Sequence, residues 1–180
     1  MAELLKRLRR VPSRVLQRLR RQQAIKALRA RRLPASVLVI CHGNLCRSPF
    51  AAALLRRVVP RRGVRVDSAG FVGPGRPSPP HAVAAAGPYG VDLSTHRSEL
   101  LTPNRVGAAD VIVVMDPAQR REICDRFGRA RRDVLVLGDF DPDPVEARTI
   151  RDPVEQPLVV FEESYARIER CVRELARAIS

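Results

Sequence analysis

Tryptophan is absent and aromatic residues make up only 4% of the 180-residue chain, so a core must be packed from Val, Leu, Ile and Ala rather than from rings. Cysteine is scarce as well. Four in 180 residues are too few for a disulfide framework, and no Cys/His cluster has zinc spacing, which points to a reducing compartment and away from a structural metal. No apolar run approaches the roughly 20 residues that cross a bilayer. The N-terminus lacks the compact apolar stretch and small-residue cleavage site of a secretory signal. Acidic residues are nearly missing from the first 35 positions, where 12 Lys/Arg stand against the single Glu3. The remaining 145 positions hold 21 basic and 18 acidic residues, so the formal net charge of +14 belongs to an appendage and the body is close to balanced. A specific nucleic-acid partner is therefore not expected.

What is present divides the chain in two. Residues 1–35 read as a basic amphipathic helical N-terminal extension, with Leu4, Leu8, Val11, Val15, Leu19 and Leu28 near helical spacing. Pro12 interrupts the run, Ser13 can cap a second helix and Pro34 closes the segment. Residues 36–180 read as one catalytic-sized domain, long enough for a real core. Val-rich strands are predicted at Ser36–Cys41, Gly63–Ser68, Asp110–Met115 and Asp133–Gly138. Helical patterns lie between them at Pro49–Val59, about Pro79–Gly87 and Ala118–Phe127. A last amphipathic helix over Leu158–Ile179 carries Phe161, Tyr165, Ile168, Val172 and Leu175 on one stripe. Continuous apolar strands alternating with helices predict an α/β fold, a parallel sheet covered on both faces. Phe71–Pro80 and Asp139–Pro157 read as loops.

The first strand runs into Cys41-His42-Gly43-Asn44-Leu45-Cys46-Arg47-Ser48-Pro49, and ligands of open α/β sheets bind beyond the carboxyl ends of strands. Gly43 permits a tight curl, and Asn44 is among the few non-glycine residues that tolerate left-handed backbone. Such a loop entering a helix N-terminus aims several N–H groups at one point and forms an anion cradle. A thiol at the head of that cradle faces the same positive field, which favours its thiolate. Arg47 closes the ring and can fork two hydrogen bonds to a phosphoryl group, and Ser48 can donate to the thiolate. The chemistry expected is nucleophilic attack of Cys41 on phosphorus through a thiophosphoryl intermediate. Taken alone, Cys41 would read as a buried end-of-strand residue; the register of its neighbours makes it a nucleophile.

The leaving oxygen needs a proton donor, and a carboxylic acid on a mobile loop would serve. Four Asp-Pro pairs offer one, at Asp116, Asp141, Asp143 and Asp152. Asp116 most simply caps a helix, and Asp141 and Asp143 suit turns. Chemistry alone leaves the choice open.

The loop resembles the signature of the low-molecular-weight protein-tyrosine phosphatase family at every diagnostic position. Further matches are Asp67-Ser68-Ala69-Gly70, the stretch from Gly90 to Ser98, Ala109-Asp110 through Met115-Asp116, Asp152-Pro153, and the closing helix with Phe161, Tyr165 and Cys171. The resemblance covers about residues 36–180. It implies a three-layer sandwich with a four-stranded parallel β-sheet flanked by helices, and cytoplasmic, metal- and cofactor-free hydrolysis of phosphotyrosine. It places Cys41 and Arg47 in the roles above and selects Asp152 as general acid and base. His42, Gly43, Asn44, Leu45, Cys46 and Ser48 become the phosphate-binding loop, with Ser68 and His96 in support. Cys46 is similar to a family neighbour that locks the nucleophile in a reversible disulfide; packing under the loop is the alternative. Cys124 and Cys171 fall at apolar helix positions and are expected in the core. The family's usual aromatic wall after the acid is replaced by Val154-Glu155, with Phe71 and Tyr89 as candidate substitutes. Bacterial members of the family reverse autophosphorylation of tyrosine kinases that control polysaccharide export, which makes such a kinase the implied partner.

Arsenate reductase uses the same scaffold but needs two further cysteines close together, whereas Cys124 and Cys171 lie 47 residues apart. A protein-arginine phosphatase branch typically has Thr where this chain has Leu45, and ranks second. A phosphate-binding module that has lost catalysis is the non-enzyme alternative. For residues 1–35 the readings are docking on an anionic membrane surface at the inner face, a docking arm for a partner kinase or nucleic acid, an unfolded tail, or a transit peptide.

Overall fold

A computed structural model describes residues 13–29, 34–59, 63–145 and 147–179. The expected helix over residues 1–12 and its break at Pro12 lie outside the described residues. Among the described residues the elements are α1 (Ser13–Arg29), β1 (Ser36–Cys41), α2 (Arg47–Val58), β2 (Arg65–Gly70), α3 (Pro80–Ala86), α4 (Pro103–Ala108), β3 (Val111–Val114), α5 (Pro117–Phe127), β4 (Val134–Val136) and α6 (Leu158–Ile179).

The four strands form one parallel sheet in the order β2-β1-β3-β4. Because strand side chains alternate, one row of each central strand faces each way. Val37, Val39, Cys41, Val111, Val113 and Met115 face a core shared with α2, α3 and α6. Leu38, Ile40, Ile112, Val114, Val134 and Val136 face a second core closed by Leu101, Val106 and Ile123 from the α4–α5 side. The result is the expected three-layer α/β sandwich, and β1 and α6 run between the residues anticipated. The strand anticipated at Gly63–Ser68 starts two residues later and continues to Gly70, where it meets the loop after β1. Helix α4 was not anticipated. Six residues that include Pro103 and Gly107 carry too little periodicity to announce a helix, and Thr102 starts it by accepting from the Arg105 amide at 3.3 Å. The few large rings cluster together: Phe50 stacks on Tyr165 at 3.9 Å between centroids, and Tyr89 meets Phe50 edge-on at 5.3 Å.

Helix α1 is docked on the body. Leu28 is buried in the first core, with Ala24 and Ile25 packed beside it. Buried Gln17 donates through Nε2 to the Gly138 carbonyl at 3.0 Å, and Arg21 pairs with Glu174 on α6. The opposite face leaves Val15, Leu16 and Leu19 exposed.

Candidate active site

The loop from Cys41 to Arg47 is held by groups from every layer. Asn44 has φ +52°, the left-handed conformation its residue type tolerates, and is completely buried. Its side chain spends all its polar capacity on the frame: Nδ2 donates to Ser48 Oγ at 2.8 Å and to Ser68 Oγ at 2.9 Å, and Oδ1 accepts from the Glu99 amide at 2.8 Å. Ser48 Oγ lies 3.0 Å from Cys41 Sγ, so Asn44 orients the hydroxyl that faces the thiol.

Carbonyls around the loop are drawn outward. The His42 oxygen accepts from the Phe71 and Val72 amides at 2.7 and 3.3 Å. His96 Nε2 faces the Asn44 carbonyl oxygen at 2.7 Å and so donates to it. Ser78 Oγ donates to Leu45 O at 2.7 Å and the Tyr165 hydroxyl to Cys46 O at 3.2 Å. Among the described residues, no amide N–H from Gly43 to Cys46 has a protein acceptor. With four carbonyls tied to partners, those amides are left without protein acceptors, which suits an oxyanion.

Two glycines set the geometry. A Cβ at Gly70, the end of β2, would stand 2.7–2.8 Å from backbone atoms of His42, Gly43 and Asn44, so only glycine lets the loop lie on the strand. A Cβ at Gly138 would overlap the carbonyl of Arg148, and this close approach brings the segment that carries Ile150 and Asp152 over the sheet.

Arg47 is buried, donates through Nη1 to the Ile150 carbonyl at 3.0 Å, and pairs through Nη2 with the Asp152 carboxylate, 105 residues away. The other Asp-Pro candidates are occupied elsewhere. Asp116 Oδ1 caps α5 by accepting from Gln119 N at 2.8 Å. Asp141 is more than the expected turn residue: it is buried and binds Arg167 at 2.9 Å and Arg170 at 3.4 Å. Asp143 reaches Arg170 at 3.0 Å. Asp152 is exposed, and its Oδ1 accepts from the Val154 amide at 3.3 Å in a turn where Glu155 takes φ +62°. Val154 is half-buried against the first core and Glu155 is exposed. Of the candidate substitute walls, Tyr89 is committed to Phe50, and Phe71 gives only its amide to the His42 carbonyl while its ring packs against the second core.

Burial, and then the neighbouring Cys41, push the Cys46 thiol well above the usual range, so Cys46 is a neutral thiol at physiological pH. Burial does the same to Cys171; Cys124 is only half-buried. The sequence did not announce Ser78, Tyr165 and Gly70 as members of this assembly. Their side chains, or the lack of one, act on backbone atoms, and only the pairing of distant segments shows it.

Residues 36–180 match the sequence model of the family described as low molecular weight phosphotyrosine protein phosphatase. The chain belongs to that family, and with it to the cysteine-based phosphatases. It is 43% identical over 138 residues to the probable low molecular weight protein-tyrosine-phosphatase EpsP of Ralstonia nicotianae, covering 76% of this chain and 90% of the relative. It is 30% identical over 146 residues to the protein-arginine-phosphatase of Bacillus subtilis, covering 79% and 95%. Among solved structures, the tyrosine phosphatase Wzb of Escherichia coli K30 in complex with sulphate superposes with a TM-score of 0.73 at 27% identity, covering 82% of this chain and 99% of that one.

Proposed function

We propose that the protein hydrolyses phosphotyrosine in proteins, with Cys41 as nucleophile, Arg47 as phosphate fork and Asp152 as general acid and base. The observation that carries this reading is the convergence of Cys41, the unpaired loop amides and the Arg47–Asp152 pair at one end of the sheet. A phosphoryl group entering the curl would take up the Arg47 fork and leave Asp152, exposed beside it, facing the ester oxygen. The Cys41 thiolate attacks phosphorus, the S–P bond forms as the P–O bond to tyrosine breaks, and Asp152 gives its proton to the departing oxygen. Asp152 then takes a proton from water, whose oxygen attacks phosphorus and releases phosphate and the thiolate. His42, Gly43, Leu45 and Cys46 contribute loop backbone; Ser48, Ser68 and His96 hold its shape.

The protein-arginine phosphatase reading has the Bacillus subtilis relative in its support; an apolar Leu45 within the loop, where that branch typically has Thr, favours the aryl ester. A phosphopeptide panel decides between them. Phosphotyrosine turnover by the wild type, with none by Cys41→Ser, is expected; faster turnover of phosphoarginine would reverse the substrate, and equal rates for the two proteins would remove the thiolate mechanism.

The phosphotyrosyl partner we propose, from the family resemblance, is a bacterial tyrosine kinase of polysaccharide export. No helix among the described residues is long and apolar enough to cross a membrane. Exposed Val15, Leu16 and Leu19 beside Arg18 and Lys26 support cytoplasmic protein attached peripherally to an anionic membrane surface. Co-sedimentation with phosphatidylglycerol vesicles should fall on Leu19→Asp.

A further inference from the structure

Between α1, α5 and the outer edge of β4 lies a cavity of about 340 Å³ on which five arginines converge: Arg20, Arg120, Arg131, Arg132 and Arg148. Its apolar floor is Ala24, Ala27, Leu135 and Val136, and the one carboxylate among the described residues lining it is Asp139. That carboxylate is already spent, since its two oxygens accept from Arg148 Nε at 2.7 Å and Nη2 at 2.6 Å. A neighbouring hollow of about 290 Å³ shares Arg120, Arg131 and Arg148.

Among the described residues of the set, Arg120 is the one with a buried, unpaired donor. Its Nη2 donates to the Arg131 carbonyl at 2.8 Å, but its Nε is buried with no hydrogen-bond partner among the described residues. Burial, and then the charges of Arg131 and Arg148, work against the protonated guanidinium. A buried donor left unpaired among like charges costs free energy, and an anion in the cavity would remove both penalties. Arginine is also the side chain whose planar fork suits phosphate oxygens.

Helix α1, which supplies Arg20, Ala24 and Ala27, lies outside residues 36–180, the part that matches the family. The cavity thus exists because the basic extension docks on the body, and it is separate from the Cys41 loop.

We propose that this cavity is an oligophosphate-binding site, taking a di- or triphosphate chain between Arg20, Arg120, Arg131 and Arg148. With Arg148 paired to Asp139 and Arg132 beside Asp133, Arg20, Arg120 and Arg131 remain to match a chain of about three negative charges, more than one orthophosphate supplies. The chain is either free or the tail of a nucleotide whose base lies on the apolar floor. This reading stands independently of the substrate of Cys41.

Isothermal titration calorimetry of the full chain tests it, with benzylphosphonate present in excess to occupy the Cys41 loop. Tripolyphosphate and ATP are titrated separately, with orthophosphate as the low-charge comparison. One site is expected for tripolyphosphate, with orthophosphate at least about tenfold weaker. Affinity should drop about tenfold in Arg120→Gln, the loss expected for one charge-assisted hydrogen bond, and several-fold in Arg20→Gln at the rim, which leaves the body untouched. Lys26→Gln, on the same helix but away from the cavity, should bind as the wild type does. ATP tighter than tripolyphosphate assigns a nucleotide; equal affinities assign the phosphate chain alone. No binding of either probe, unchanged affinity in Arg20→Gln, or an equal loss in Lys26→Gln would overturn the site.

Discussion

Replacing Asn44 by alanine removes three hydrogen bonds at once, to Ser48 Oγ, to Ser68 Oγ and from the Glu99 amide. At about 1 kcal/mol net for each, the bonds account for about 3 kcal/mol of stability. Alanine at φ +52° adds about 1 kcal/mol for left-handed backbone. The sum of about 4 kcal/mol is a large share of the 5–15 kcal/mol typical of a domain. Asn44→Gly keeps the loss of the bonds but not the backbone strain, so it should be the milder variant by about 1 kcal/mol. Ser48 loses the donor that orients its hydroxyl toward Cys41, so kcat for an aryl phosphate should fall in both variants by about ten- to a hundredfold. Urea unfolding with the m-value compared, and initial rates on the same preparations, read the two effects separately. If both variants unfold within about 0.5 kcal/mol of the wild type, the frame assigned to Asn44 is refuted, since surface-like tolerance is incompatible with three buried bonds. If Gly is as damaging as Ala, the backbone contribution is refuted alone.

Asp152→Asn should lower kcat on phosphotyrosine by about a hundredfold or more, and less on an aryl phosphate whose leaving group needs no proton; the contrast reads general acid catalysis. Gly138→Ala should destabilise by about 3 kcal/mol or more and abolish turnover, because its methyl would displace the Arg148 segment that carries Ile150 and Asp152; thermal melting and rates check this together. Leu28→Ala should cost about 2 kcal/mol, at the low end for a buried leucine because α1 can settle, and an α1 that melts with no change in Tm would contradict its docking. Asp110 is partly desolvated, but the bonds from the Ala35 amide, the Ser36 hydroxyl and the Ser36 amide, with Arg129 nearby, outweigh that and hold its carboxyl below the usual range. A depressed carboxylate adds stability above its unfolded value of about 3.9, and the contribution disappears as pH falls through the folded value. Asp110→Asn should therefore lower stability at neutral pH and flatten its decline below pH of about 4, as followed by urea unfolding at several pH values.

Much of the catalytic loop was readable because its chemistry is local. Cys41, Asn44, Arg47 and Ser48 lie within eight positions, and a left-handed Asn followed by a helix start is written in residue types alone. The strand and helix alternation was readable from Val-rich runs and from the stripe of α6, since each is a short-range pattern of burial. The proposed acid was not readable in that way. Four Asp-Pro pairs look alike in sequence, and Asp141 in particular passes for a turn residue until Arg167 and Arg170 are seen around it. The same holds for α1, whose docking on the body no local pattern announces until Leu28 and Gln17 are found buried.

By itself the sequence determined the α/β class, the candidate anion cradle after the first strand and the separation of a basic extension from a balanced body, because those follow from spacing, residue type and charge along the chain. Tertiary structure decided which carboxylate meets Arg47, which distant groups tie down the loop carbonyls, that Gly70 and Gly138 are glycine to let backbones touch, and that α1 closes an arginine-lined cavity. Those are contacts between segments far apart in the chain. They depend on how parallel strands and their crossovers bring the segments together, and no local pattern records that.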